Sequence, residues 1–310
     1  MSRDLDPRVH EPERPDPSRG SRVGTDSDDR GRTDPRDVFA DRLDLPRGPE
    51  RERVHVRIRT YELRGSEVRT LATVGAFRVV PASDLRGHDG RPADPRKGDV
   101  PHLRDLGLVR TMPYVVGKTR TTLVTLTEQG RSVLEDARRD HDRERQVFYA
   151  GIAKPRELAH DAQLHRAYLR AAESLAPRDA RIRRVVLDYE LKREYQRFLQ
   201  ASNRGRRDSD GRPDREQEEI ERWAHAHQLP MVDDHVQFPD VRIEYDERDG
   251  RRAVEDVEVT TEHYRGALAG AKARAGFTSY RAAGARLGGS RTTGRGGRGS
   301  DPRVAEEVLG

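Results

Sequence analysis

Between residues 66 and 139 the apolar pattern changes period twice, and no other feature limits the fold of this chain as much. Val68, Leu71, Ala72 and Gly75 recur at helical spacing, and Pro81-Ala82-Ser83-Asp84 then reads as a helix start. Val100, Leu103 and Leu106 put three apolar residues on one face of a further helix, which Gly107 ends. The run LVRTMPYVVGKTRTTLVTLT carries β-branched residues on both sides of Gly117-Lys118 and predicts a β-hairpin with its tip there. Thr127 caps a last helix that begins Glu128-Gln129-Gly130 and continues through Val133-Leu134.

Helix, helix, helix, hairpin, helix is the order of a winged helix-turn-helix. The run Leu103-x-x-Leu106-Gly107-Leu108-Val109, the basic hairpin, and Leu126-Thr127-x-x-Gly130 together resemble regulators of the MarR and PadR type over about a quarter of the chain. The resemblance implies a double-stranded DNA partner, with the helix ending at Leu106 in the major groove and the hairpin on phosphates. Arg96, Lys97, His102 and Arg104 are then the nucleic-acid-binding candidates at that helix, with Lys118 and Arg120 in the wing. A winged helix that docks protein instead of DNA is the alternative.

Composition sets the rest of the frame. Of 310 residues 33% are hydrophobic and 37% charged, too polar for one packed globule over the whole length, so disordered tails are expected. A net charge of +5 favours an anionic partner without naming one. Only 5 of the 60 basic residues are lysine, the bias a high-GC genome produces, so local excess of charge means more than the total. The absence of cysteine excludes disulfides, thiolate zinc sites and cysteine nucleophiles. No apolar run approaches the ~20 residues of a membrane helix, and the first residues lack a signal-peptide core. A soluble, cytoplasmic protein is expected.

Residues 1–52 read as a solvated tail of alternating charge, 53–140 as the winged helix, 155–280 as a second domain, and 281–310 as an Arg/Gly-rich tail. VHVRIRTYEL alternates like a strand or an extended lead-in. ELAHDAQLHRAYLRAAESL is helical, ARIRRVVLDYEL a strand, KREYQRFLQ and EQEEIERWAHAHQL helices, and HVQFPDVRIEYD and RRAVEDVEVTT two strands flanking a turn at Glu247-Arg248-Asp249-Gly250. TEHYRGALAGAKARAGF closes the domain as a helix, and from Thr278 onward structure is expected to dissolve.

Helix, three-strand meander and helix form the core of the PD-(D/E)xK nuclease fold, and Pro239-Asp240 with Glu258 resemble its motif. The expected fold class is α+β / α/β: an N-terminal winged helix-turn-helix followed by a restriction-endonuclease-like αβββα domain. The resemblance implies Mg²⁺ held by Asp240 and Glu258, with a catalytic lysine nearby. Turn geometry decides whether the carboxylates meet. A three-residue loop Arg248-Asp249-Gly250 puts Asp240 opposite Glu258 on one face, whereas a two-residue loop puts them on opposite faces. The family's lysine, two residues after the glutamate, is Thr260 here, so Lys272 from the next helix is the substitute, unless it merely snorkels. Asp188 and Glu190 could add carboxylates, and His263 a phosphate or water contact. His160 and His165 are five apart and make no i, i+4 metal pair, and His225 and His227 read as surface residues. The arginines of residues 281–298, without an acid, would add sequence-independent phosphate affinity.

The ensemble is similar to the replication-relaxation proteins of bacterial plasmids and integrative elements, which join a winged helix to a nuclease-like domain. ATVGAFRVVPASDL, HLRDLGLV, LAHDAQLHRAYLRAA, FPDVRIEY and EDVEVTTEHY carry that similarity. It implies replication, maintenance or regulation of mobile DNA by a DNA-binding protein. The alternatives are a Mg²⁺-dependent endonuclease using Asp240, Glu258 and Lys272, and a MarR-like repressor that is a homodimer through its second domain.

Overall fold

A computed structural model describes residues 34–116, 119–139, 145–152, 157–201, 203, 215–260 and 267–282. It is a mixed α+β structure with several small sheets.

The chain enters through a segment expected to be solvated tail, but residues 34–52 are built in. Val38, Phe39, Leu43 and Leu45 are buried, and Phe39 meets the rings of Phe77 and Tyr168. Four apolar residues among many charges escape a composition reading, yet they close one side of the core. The alternating stretch that follows is a hairpin: β1 (Glu52–Val56) pairs with β2 (Arg59–Leu63) around Arg57 and Ile58. Val56, Tyr61 and Leu63 face inward, and Ile58 at the tip is 99% exposed.

Helix α1 (Gly65–Phe77) is buried at every position except Arg69, so it is a central helix rather than an amphipathic surface one. Glu67 closes its first turn by accepting the Arg64 N–H at 3.1 Å. The expected second helix is shorter than its start signal suggested: β3 (Val80–Pro81) leads into a single 3₁₀ turn (Ala82–Asp84). Helix α2 (Asp99–Asp105) follows, then β4 (Val109–Val116), β5 (Thr119–Leu126) and α3 (Glu128–Asp136). These strands form a three-stranded sheet in the order β3-β5-β4. Thr127 caps α3 as expected, its Oγ1 accepting the Gly130 N–H at 3.0 Å.

The second half begins with α4 (Leu158–Leu175), whose Leu164, Ala167, Tyr168, Ala171 and Leu175 are buried. They share one core with Val241, Ile243 and Tyr245 of β9 (Val241–Asp246) and with Val257 and Val259 of β10 (Arg252–Thr260). The sheet has the order β11-β10-β9-β6, where β6 is Arg181–Leu187 and β11 is Thr278–Arg281. β6, β9 and β10 are antiparallel neighbours, and β11 lies parallel to β10 after a crossover through α7 (Ala267–Arg274). The expectation that structure ends at Thr278 is therefore corrected by one strand. Between β6 and β9 stand α5 (Asp188–Leu199), α6 (Gln217–Ala226) and the two-residue strands β7 (Met231–Val232) and β8 (His235–Val236). Their Leu191, Ala224, Leu229 and Val236 join Val186 of β6 in a second small core, against which Tyr195, Trp223 and Phe238 pack. No helix among the described residues is long and apolar enough to cross a membrane.

Candidate functional site

The turn between β9 and β10 decides the site. Glu247 donates its N–H to the Arg251 carbonyl at 2.8 Å, leaving Arg248-Asp249-Gly250 as a three-residue loop with Gly250 at φ 82°. Only glycine adopts that conformation without strain. Val241 pairs with Val257, so one further step along the ladder sets Asp240 opposite Glu258. Both are buried, at 8% and 4% exposure.

Each carboxylate has a cation. Lys272 Nζ, reaching over from α7, lies 2.6 Å from Glu258 Oε2 and donates to the Phe238 carbonyl at 2.7 Å. Asp240 Oδ2 accepts the Val259 N–H at 2.8 Å and lies 3.1 Å from His160 Nε2. The other ring nitrogen of His160 faces Asp161 at 3.6 Å, and Arg78 Nη1 lies 4.0 Å from the second oxygen of Asp161. Burial works against a charged His160, but its hydrogen bonds to Asp161 and Asp240 outweigh that and push it up from 6.5 to about 10. Burial likewise opposes the Asp240 carboxylate, yet His160, Lys272 and the Val259 N–H hold it below its ordinary value. His160 is thus a cation at neutral pH.

The signs give a pH prediction. A histidine raised from 6.5 to about 10 contributes stability that is complete below the unfolded value and is lost as pH rises through the folded one. Asp240 contributes above 3.8 and loses its share as pH falls through its lowered value. Urea midpoints of wild type are expected to fall between pH 6.5 and 10, and those of His160→Gln to stay flatter across the same window. Parallel curves for the two proteins would remove His160 from the pair.

Two opposed carboxylates form a donor set that Mg²⁺ completes with water and phosphate oxygens. Here Asp161, Asp240 and Glu258 already meet Arg78, His160 and Lys272, one cation for each acid. A divalent ion would compete there with Lys272 at Glu258 Oε2 and with His160 at Asp240 Oδ2, which already balance the two acids. Among the described residues no group of three or more His, Cys, Asp or Glu is gathered for a metal.

Other expected members stand elsewhere. The Thr260 hydroxyl donates to the Tyr280 carbonyl at 3.2 Å, toward β11 and not toward the carboxylates. Asp188 is held by Lys192 at 2.7 Å, and Glu190 by Arg184 at 3.5 Å and the Tyr149 hydroxyl at 3.2 Å. His263 lies outside the described residues. His227, expected at the surface, is half-buried and stacked on Trp223 at 3.9 Å. His160, Asp161 and Arg78 were missed as site members. The one available signal was an acid placed on the apolar face of α4.

At the other candidate surface, Arg96 and Lys97 are exposed just before α2, and Arg120 is exposed on β5. No ion pair involves these three among the described residues. Arg104 is exposed and, among the described residues, pairs only with its neighbour Asp105, at 3.4 Å. His102 points the other way. Its Nδ1 lies 2.8 Å from the buried Glu67, which Arg51 also engages at 2.7 Å, so His102 braces α2 against α1. Lys118 lies outside the described residues.

Comparison with protein-family models, with curated proteins and with solved structures finds no match.

Proposed function

We propose that this protein binds double-stranded DNA through residues 53–140 folded as a winged helix-turn-helix, with α2 presented to the duplex and the β4–β5 hairpin as wing. Its second half is read as a nuclease-like αβββαβ fold that holds DNA without cutting it. The observation that carries the DNA reading is the run of exposed basic side chains at Arg96, Lys97 and Arg120 that lack acid partners. Among the described residues these three have no carboxylate partner, and they stand beside a helix and on a hairpin. On this reading the protein acts in replication, maintenance or regulation of mobile DNA, the role implied by the resemblance of its sequence motifs.

Phosphate contacts release counterions, so each should contribute roughly 0.9 to the slope of log affinity against log salt. The double substitution Arg96→Ala with Lys97→Ala is expected to weaken duplex binding at low salt and to reduce that slope by about 2. Fluorescence anisotropy on a labelled duplex measures both. An unchanged slope would remove these residues from the interface.

The endonuclease reading draws support from the register of Asp240 and Glu258, and is opposed by the cations that already neutralise them. Supercoiled plasmid incubated with Mg²⁺ or Mn²⁺, and with EDTA, separates the two. A band shift without nicking is expected for wild type, Asp240→Ala and Glu258→Ala alike. Metal-dependent nicking by wild type alone would establish the endonuclease. Protection of a palindrome by a dimer, without cleavage, would place the protein with the repressors.

A further inference from the structure

A cavity of about 370 Å³ opens between α1, the 3₁₀ turn, α4 and the segment around residue 36. At its inner end stands His165, 1% exposed, its ring against Phe77 at 5.1 Å and Tyr168 at 6.4 Å. Neither ring nitrogen has a hydrogen-bond partner among the described residues, and burial pushes the ring down to about 4, which favours the neutral ring with one donor and one acceptor. Thr70 Oγ1, on a residue 2% exposed, and Arg36 Nε are buried and unpartnered in the same wall. Buried polar atoms almost always find partners, so several orphans facing one cavity call for an explanation that packing does not supply. The rest of the lining is charged. Arg69 pairs with Asp37 at 3.3 Å and Arg36 with Asp34 at 3.3 Å, while the Arg86 guanidinium, among the described residues, has only the Gly90 carbonyl, at 3.5 Å. Asp84 is neutralised from outside by Arg166 at 2.5 Å.

We propose that this cavity binds a small hydroxylated anion of the sugar-phosphate class. Arg86, which has no acid partner among the described residues, receives the phosphate, and His165 and Thr70 exchange hydrogen bonds with hydroxyls at the inner end. The volume lies in the range of small-molecule sites and exceeds what inorganic phosphate fills. The two sources of such a group are a free sugar phosphate and the ribose phosphate of a mononucleotide. The inference is independent of the DNA reading, since none of these residues belongs to the α2 or wing surface.

Calorimetric titration of the full chain with ribose 5-phosphate, adenosine 5′-monophosphate and inorganic phosphate tests it. Saturable one-to-one binding of at least one of the two esters is expected, tighter than that of inorganic phosphate. Whichever ester binds tighter names the source. Arg86→Ala and His165→Phe are each expected to weaken binding at least tenfold. His165→Phe keeps a ring against Phe77 and Tyr168 while removing the two orphan nitrogens, so it should melt no lower than wild type without ligand. No saturable heat with either ester, phosphate binding as tightly as the esters, or equal affinity in wild type and both variants would each overturn the proposal.

Discussion

Replacing Lys272 by alanine is expected to lower the free energy of unfolding by roughly 3–5 kcal/mol, the usual cost of removing one partner from a buried ion pair. The side chains of Lys272 and Glu258 are only 11% and 5% exposed, so water cannot take over the lysine's part. The Phe238 carbonyl would lose its donor in the same step. Because α7 carries Lys272 while β10 carries Glu258, the pair also fastens the crossover that delivers β11 to the sheet edge. Hydrogen exchange should therefore quicken first along β11. The double substitution Lys272→Met with Glu258→Gln removes both charges at similar volume and should recover most of the loss. Urea midpoints at constant m-value measure it. A Lys272→Ala protein within about 1 kcal/mol of wild type would mean that the pair is solvated.

The same pair separates the functional readings. If the carboxylates are an ion-paired bracket, Lys272→Met with Glu258→Gln should bind duplex DNA as wild type does. A bracket has no reason to sit at a reaction centre, and its chemistry is complete when its charges are balanced. A nuclease needs these acids free to take up a cation, and the double substitution would then abolish nicking while leaving the band shift in place.

How much of this was legible in the sequence depends on whether a signal was local. The helix-to-hairpin-to-helix change of period around Gly107 and Thr127 is a local pattern, and α2, β4, β5 and α3 stand where it predicts, while the expected tip at 117–118 lies outside the described residues. The β9–β10 register was legible too, because Gly250 restricts the loop to two choices and each choice fixes a face for Asp240. The β1–β2 turn was not, since Arg57-Ile58 contains none of the residues that mark turns, and Arg57 holds φ 53° without being glycine, asparagine or aspartate. β11 escaped because a four-residue parallel strand has neither a turn nor enough length to show its alternation. The burial of residues 34–52 depends on Phe39 finding Phe77 and Tyr168, far along the chain. The cations of the carboxylate cluster come from the end of α1, the start of α4 and the end of α7. Only tertiary packing brings them together, and no spacing rule connects them. The orientation of His102 was hidden for a related reason. On sequence it is one more basic residue on a basic helix, and its orientation is set by the buried Glu67, 35 positions earlier.

Gly130→Ala is the second substitution expected to have a large effect, and its cause is a backbone contact. A Cβ at this position would stand 2.1 Å from the Leu108 carbonyl oxygen and 3.0 Å from its carbon. That oxygen is not free to retreat, because it accepts the Thr127 N–H at 3.0 Å and lies 3.2 Å from the Thr127 hydroxyl. Relief would have to come from moving the first turn of α3 off the start of β4, which breaks the cap between Thr127 Oγ1 and the Gly130 N–H. Overpacking typically costs 1–3 kcal/mol, and loss of a cap adds about 1, so a destabilisation of roughly 2–4 kcal/mol is expected. Gly270→Ala is the control. Its new Cβ would meet nothing closer than the tip of the Arg274 side chain at 3.7 Å, within α7. There alanine should stabilise by about 0.4–1 kcal/mol, through helix propensity and a less free unfolded chain. Opposite signs for one chemical change, read from denaturant midpoints, would show that the close approach of α3 to β4 is real. Equal effects at the two glycines would place α3 farther from Leu108. The basic residues of α2 and the hairpin would then no longer be held as one surface.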